Sequence, residues 1–412
     1  MRRIALSGLA AAVAVIGFSV PALAGTTGHS AVASPARAAS AVLDDVIGFG
    51  DQVSCVSVTS CLAVGYGVDS KGHVVPAAES LHAGTWKAVS TARAPGISTL
   101  TSVLSFVSCK AATYCLAVGQ YMGNGTIPYV MTWNGTALTP VVKLPMPKPD
   151  YDVEEVGPVS CTAVNSCVVF GSGLDAAATT PGNMVAAVYA WTWHGSKWSL
   201  TKTDVPGNVV PVINAARCFS LTSCVLAGAT NPLYGSRDTL TPLLATWNGK
   251  ALTPMKPAVP SGTKQAWFTS VSCVATTSCA AAGLRATGSD TSAFLDVTGG
   301  HGWNLTKWGG PSGTTGAVLD GISCVSRSRC VAVGELSTAK TSVAVALAWN
   351  GTKWTVTKVP GPGTGKISFF SGVSCPAAGN CTAIGQTGRS TAGIGSQLAG
   401  HWNGSVWKLT AA

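Results

Sequence analysis

Charge is scarce in this chain. Asp, Glu, Lys and Arg make up 10% of its 412 residues, and only 16 residues are acidic. Glycoside chemistry needs an acid and a base or nucleophile, and the candidates are few: Asp69, Glu79, Asp152, Glu154, Asp238, Asp290, Asp320 and Glu335. No two of them form a recognisable motif. A phosphate-cradling glycine loop, a nucleophile elbow, an H-E-x-x-H pair and a calcium-loop pattern are also missing, and nothing indicates a cofactor or metal. The basic residues form no dense block, which argues against nucleic acid as a partner. Beyond the N-terminal leader no run reaches about 18 apolar residues, so no transmembrane segment is expected in the mature chain.

The leader itself is legible. "MRR", an apolar run over residues 4–20 and then "PALA" before Gly25 have the basic start, hydrophobic middle and small-x-small ending of a secretory signal peptide. Cleavage after Ala24 is the expectation, with a retained anchor as the alternative. Losing Arg2 and Arg3 would lower the formal charge from +10 to +8, compatible with an anionic wall or membrane surface, though solubility explains it equally well. Residues 25–44 are small, polar and aperiodic, and read as a flexible lead-in. Residues 45–412 read as one domain.

What is abundant is apolar and turn-forming: 47% hydrophobic residues, 48 Gly and 22 Pro. Such a mixture suits short buried strands joined by many turns. It is also repetitive. All fourteen cysteines fall into C-x5-C pairs: Cys55 and Cys61, Cys109 and Cys115, Cys161 and Cys167, Cys218 and Cys224, Cys273 and Cys279, Cys324 and Cys330, Cys375 and Cys381. Successive first cysteines lie 54, 52, 57, 55, 51 and 51 residues apart. Glycine follows each second cysteine by four residues, from Gly65 to Gly385, and "VS" or "IS" precedes most first cysteines.

Farther on in each unit an apolar run ends in a turn: "TWNGTAL" around Trp133, "TWHGSKW" around Trp193, "TWNGKAL" around Trp247, "AWNGTKW" around Trp349 and "HWNGSVW" around Trp402. Units one and five keep only worn versions, ending at Trp86 and Trp303. Asn-Gly between apolar runs predicts a type I′ hairpin with positive φ at both central residues. Two hairpins per unit make four strands, and seven units of about 50 residues make an all-β, seven-bladed β-propeller. A solenoid is the competing repeat architecture, but polar end caps are missing. Closure of the ring could use the segment near residues 45–49 as an added strand, or the packing of blade 7 on blade 1.

A five-residue spacing across a hairpin brings two cysteines within disulfide range, so each blade is expected to carry its own bridge. Zinc is the alternative, but its ligands usually stand two to four residues apart, and the few histidines do not keep step with the repeat. Each bridge would stabilise by about 2 kcal/mol in the chain-entropy model and would pin strand register.

The unit "VSC-x5-C-x-AVG … WNG-x-x-W" resembles a repeat of secreted actinobacterial proteins and, in plan, the kelch and Asp-box (sialidase-type, BNR) propellers. That resemblance implies the fold. It brings no catalytic residues, because kelch blades carry paired glycines and Asp-boxes a separated acid, where this chain has one glycine and an Asn-Gly.

The cysteine hairpins and W-N-G turns are uniform and share one face, whereas the connections between second and third strands, and between blades, are irregular. Irregular loops on a regular scaffold are where binding resides. The expected ligand-binding residues are therefore Tyr121, Tyr129, Asp152, Glu154, Tyr234, Arg237, Lys264 and Trp267. For Trp267 packing between blades is the plainer reading, and for Asp152, Glu154 and Glu155 a solvated acidic loop, with ligand stacking and paired glycoside carboxylates as the sharper ones. Arg217, in place of the usual Ser before the first cysteine of unit four, reads as a local salt bridge or an anion contact. The leading functional expectation is a secreted, monomeric binding propeller for a carbohydrate or extracellular protein. The alternative is a carbohydrate-active hydrolase or lyase with an acidic pair at the central channel.

Overall fold

The computed structural model describes residues 52–411 apart from 70–72, 92–100, 124, 147–150, 181–182, 206–207, 233–239, 288–289, 300–301, 309, 339–340, 362–365 and 389–395. The proposed leader, the lead-in and residues 45–49 lie outside that set.

Blade 1 holds β1 (Gln52–Ser57), β2 (Ser60–Val68), β3 (Val74–His82) and β4 (Thr85–Ala88). Blade 2 holds β5 (Thr101–Ala111), β6 (Tyr114–Gly123), β7 (Gly125–Trp133) and β8 (Leu138–Lys143). Blade 3 holds β9 (Tyr151–Ala163), β10 (Ser166–Thr180), β11 (Asn183–Trp193) and β12 (Trp198–Val205). Blade 4 holds β13 (Val209–Ser220), β14 (Ser223–Pro232), β15 (Thr241–Trp247) and β16 (Leu252–Met255). Blade 5 holds β17 (Gln265–Ala275), β18 (Ser278–Thr287), β19 (Asp290–Gly299) and β20 (Gly302–Thr306). Blade 6 holds β21 (Thr314–Ser326), β22 (Arg329–Thr338), β23 (Ser342–Trp349) and β24 (Trp354–Thr357). Blade 7 holds β25 (Ile367–Ala377), β26 (Asn380–Gly388), β27 (Ser396–Trp402) and β28 (Trp407–Ala411).

Each blade is an antiparallel sheet in sequence order. The first strands contact one another around the axis, and β25 meets β1, so the ring is closed. Blade 7 is complete from its own four strands, and closure comes from packing.

The recurring motif is one transverse row across each blade. In blade 2 Cys109 faces Cys115, Cys115 faces Trp133 and Trp133 faces Leu138. Blade 3 repeats the row as Cys161, Cys167, Trp193 and Trp198. All seven pairs are disulfides, with Cα atoms 3.9–4.0 Å apart. The zinc reading is thereby excluded. The indoles cover the cysteine hairpins: Trp133 Nε1 donates to Ala112 O at 2.9 Å and Trp349 Nε1 to Arg327 O at 3.1 Å.

The W-N-G turn is not the type I′ hairpin its Asn-Gly suggests. Trp133 pairs with Leu138, leaving a four-residue loop, and of its residues only Gly135 has positive φ, at 99°. Asn134 instead uses its side chain, accepting from the backbone N–H of Thr136 and of Ala137 at 2.9 Å each. Asn248, Asn350 and Asn403 do the same. Asn serves here as an Asx-turn acceptor, not for its tolerance of left-handed backbone. Two consecutive positive φ values occur at Ala83 (51°) and Gly84 (85°), in a blade without the motif.

The glycine four residues after the second cysteine has a steric cause. The first strand bulges four residues before its cysteine, as between Ile213 and Ala215 or between Leu319 and Gly321, and a bulge bends its strand. A Cβ on Gly228 would lie 1.9 Å from Val212 O, and one on Gly334 2.0 Å from Val318 O.

Candidate functional site

One layer of hydrogen bonds joins the first strands all round the ring, and a second is present at two of the joints. In the first, the Ser before each leading cysteine accepts from the cysteine N–H of the next blade. Cys109 N donates to Ser54 Oγ at 2.9 Å, Cys161 N to Ser108 Oγ at 3.0 Å, and Cys218 N to Ser160 Oγ at 2.9 Å. Cys324, Cys375 and Cys55 pair likewise with Ser272, Ser323 and Ser374, the last crossing from blade 7 to blade 1. At the remaining joint Arg217 replaces Ser, and its Nε donates to Cys273 O at 3.2 Å. This corrects the salt-bridge expectation: the arginine closes the same joint with donor and acceptor reversed. Arg217→Ala is expected to lower stability by about 1 kcal/mol, whereas Arg217→Ser, which restores the repeat's acceptor, should leave the melting temperature close to wild type. Thermal melts of the two variants check this.

The second layer sits at the bulge. Asn214 Nδ2 donates to Phe268 O at 2.7 Å and Thr269 Oγ1 to Leu319 O at 2.5 Å, each reaching the next blade. Asp320 occupies the equivalent place in blade 6, four residues before Cys324. A carboxyl can donate there only when protonated. Burial, and then the nearby Glu335, push its pKa up to about 7, and burial also raises that of Glu335. Elsewhere Glu79 is raised by burial despite a bond to Gln397. Asp296 is fully buried, with Oδ2 accepting from Ala258 N at 2.9 Å and Oδ1 without a partner. Burial carries its pKa up to about 7, the Ala258 bond opposing.

On the irregular face, the aromatic side chains expected to meet a ligand lie in the core instead. Tyr121 and Tyr129 are each 1% exposed and stack with ring centroids 4.8 Å apart. Tyr129 OH donates to Val103 O at 3.0 Å and accepts from Ser102 Oγ at 3.1 Å. One residue separates β6 from β7, so the stretch read as a loop is mostly ladder, and these rings pack towards blade 1. Trp267 is buried against Ala229 and Leu284. Lys264 is exposed, and its N–H donates to Ala286 O at 3.2 Å. Asp152 and Glu154 lie within β9, but their side chains are outside the described residues, as are Tyr234 and Arg237.

Arg285 escaped the sequence reading. Its Nε donates to Ser292 Oγ at 3.0 Å and its Nη1 to Ser261 O at 3.4 Å, which ties it to the loop carrying Lys264. No motif marks it, because its neighbour is brought up by the connection between blades.

No family model and no curated protein matches this chain. Among solved structures, a PL25 polysaccharide lyase, an ulvan lyase, aligns with TM-score 0.52 at 9% identity, covering 89% of this chain and 96% of that one. A post-proline cleaving enzyme from Rickettsia typhi aligns with TM-score 0.51 at 11% identity, over 90% of this chain and 53% of its own length. A puromycin-hydrolyzing peptidase of Mycobacterium tuberculosis gives 0.50 at 9% identity, over 90% and 54%. At such identities the likeness is one of fold: this chain is a seven-bladed β-propeller with one disulfide per blade.

Proposed function

We propose that the protein is a secreted binding propeller, without catalysis, that holds a carbohydrate or an extracellular protein against its irregular face. The observation that carries this reading is that Arg285 holds Ser261 O in the loop that also bears the exposed Lys264, which sets two basic residues at one edge of that face. Around them, the connections between second and third strands vary from one residue, between Gly123 and Gly125, to eight, between Pro232 and Thr241. A stapled scaffold with variable loops is the arrangement in which recognition evolves without disturbing the fold. Seven disulfides suit an oxidising compartment, and the signal-like leader and the resemblance to secreted actinobacterial repeats point the same way. A monomer is the expected solution state.

The test is a glycan array and an extracellular-protein pull-down with residues 25–412. A captured ligand should bind about tenfold or more weakly to Lys264→Ala and Arg285→Ala, since each removes a charged hydrogen-bonding group. Unaltered affinity in both variants would overturn the placement. A second reading, a carbohydrate-active enzyme, draws on the neighbouring carboxyls of Asp320 and Glu335. It requires turnover of a polysaccharide that disappears in Glu335→Gln, and such turnover would replace the binding reading.

A further inference from the structure

Blade 5 departs from the repeat at Ala280 and at Thr298, and both line one space. After its second cysteine it reads "CAAAG". Ala280 stands where the other blades carry Leu62, Leu116, Val168, Val225, Val331 and Thr382, and it faces blade 6. Two residues on, Ala282 faces the same neighbour. Its outer hairpin lacks W-N-G, and Thr298 takes the tryptophan's place, its Oγ1 accepting from Cys279 N at 2.8 Å. A cavity of about 440 Å³ lies between this thinned sheet and the cysteine hairpin of blade 6. Blade 1 also lacks W-N-G but keeps Leu62 and Val64 in its core.

The walls are of two kinds. Ala280, Val297, Trp349 and the sulfur bridge of blade 6 give an apolar floor, while Asn304, Ser326, Ser328 and Arg327 supply amide, hydroxyl and guanidinium groups. Among the described residues no carboxylate lines it, so its formal charge is positive. The volume falls within the range of small-molecule sites, about 300–1,000 Å³. A simple packing defect would be closed and wholly apolar. An apolar floor matches the C–H face of a pyranose, hydroxyls and amide match its OH groups, and an exposed guanidinium matches a carboxylate.

We infer that the cavity between blades 5 and 6, on the disulfide face, binds a pyranose-sized ligand bearing a carboxylate. The site is separate from the Lys264 and Arg285 junction and stands or falls without it.

The test is isothermal titration of the mature protein with D-galacturonate and, as the neutral counterpart, D-galactose. Galacturonate should bind at least tenfold more tightly than galactose. Arg327→Gln should remove that preference, while Arg329→Gln, which deletes an equal charge from a residue outside the lining, should keep it. Ala280→Leu restores the side chain of blades 1 and 2, and should abolish binding while the melting temperature holds or rises. Absence of galacturonate binding, equal affinity for both sugars, loss of preference in Arg329→Gln, or undiminished binding in Ala280→Leu would each overturn the proposal.

Discussion

Gly228→Ala is expected to leave little folded protein. The added methyl would sit 1.9 Å from Val212 O, and that oxygen belongs to the backbone of the bulged strand, not to the end of a flexible side chain. Relief requires β13 and β14 to separate at the bulge, where the second layer of joints between blades is made. A cost of about 3–5 kcal/mol, the range of severe core lesions, is a large part of a domain's stability. Gly361→Ala is the control, because nothing lies within 4 Å of its would-be Cβ; it should shift stability by less than about 0.5 kcal/mol. Thermal melts of both variants decide the matter. If Gly228→Ala melts within a degree or two of wild type, the close approach of these strands is wrong.

Stability should also fall as the solution is made less acidic. Four carboxyls, those of Glu79, Asp296, Asp320 and Glu335, have pKa values raised in the folded chain. The folded state therefore keeps protons that the unfolded chain releases from about pH 4 upward. When the native state binds more protons, unfolding free energy declines with pH. The decline should run from about pH 4 to about pH 7, where Asp296 and Asp320 ionise, and flatten above. Asp296 is the cleanest probe, being fully buried with one oxygen unpartnered. Asp296→Asn should stabilise the protein at pH 7.5 by roughly 1–3 kcal/mol, do little at pH 4, and flatten part of the slope. Urea titrations at several pH values measure this, and a wild-type stability that climbs between pH 4 and 7 would contradict it.

How much was readable in advance depends on the range of each interaction. The cysteine pairs and the W-N-G turns are local, they recur, and they sit in one row, so counting them was enough to obtain the blades. The role of Ser54 or Ser108 was not readable, because each one's partner lies more than 50 residues away and only folding brings it close. Arg217 stands out from the repeat, but a carbonyl acceptor leaves no mark in a sequence, so a charged partner is the natural expectation. Tyr121 and Tyr129 misled for a related reason: glycines and a proline around them suggest a loop, while β6 and β7 carry the pairing almost to the tip. That Asn134 makes a turn is legible in the sequence; that its side chain, and not a left-handed backbone, makes it is not. The cavity was written in plain view as "CAAAG", yet its meaning depends on what blade 6 places opposite.

The seam between blades 7 and 1 has a consequence of another kind. Each described sheet is cut from one uninterrupted stretch, and no strand is lent across a junction. The molecule thus has no privileged place for its ends. Joining the C-terminus to the start of β1 through a short spacer and reopening the chain between blades 3 and 4 would yield a permutant with the same contacts. By the same logic, a gene that gains or loses one 50-residue unit changes the diameter of the wheel without having to reinvent a clasp.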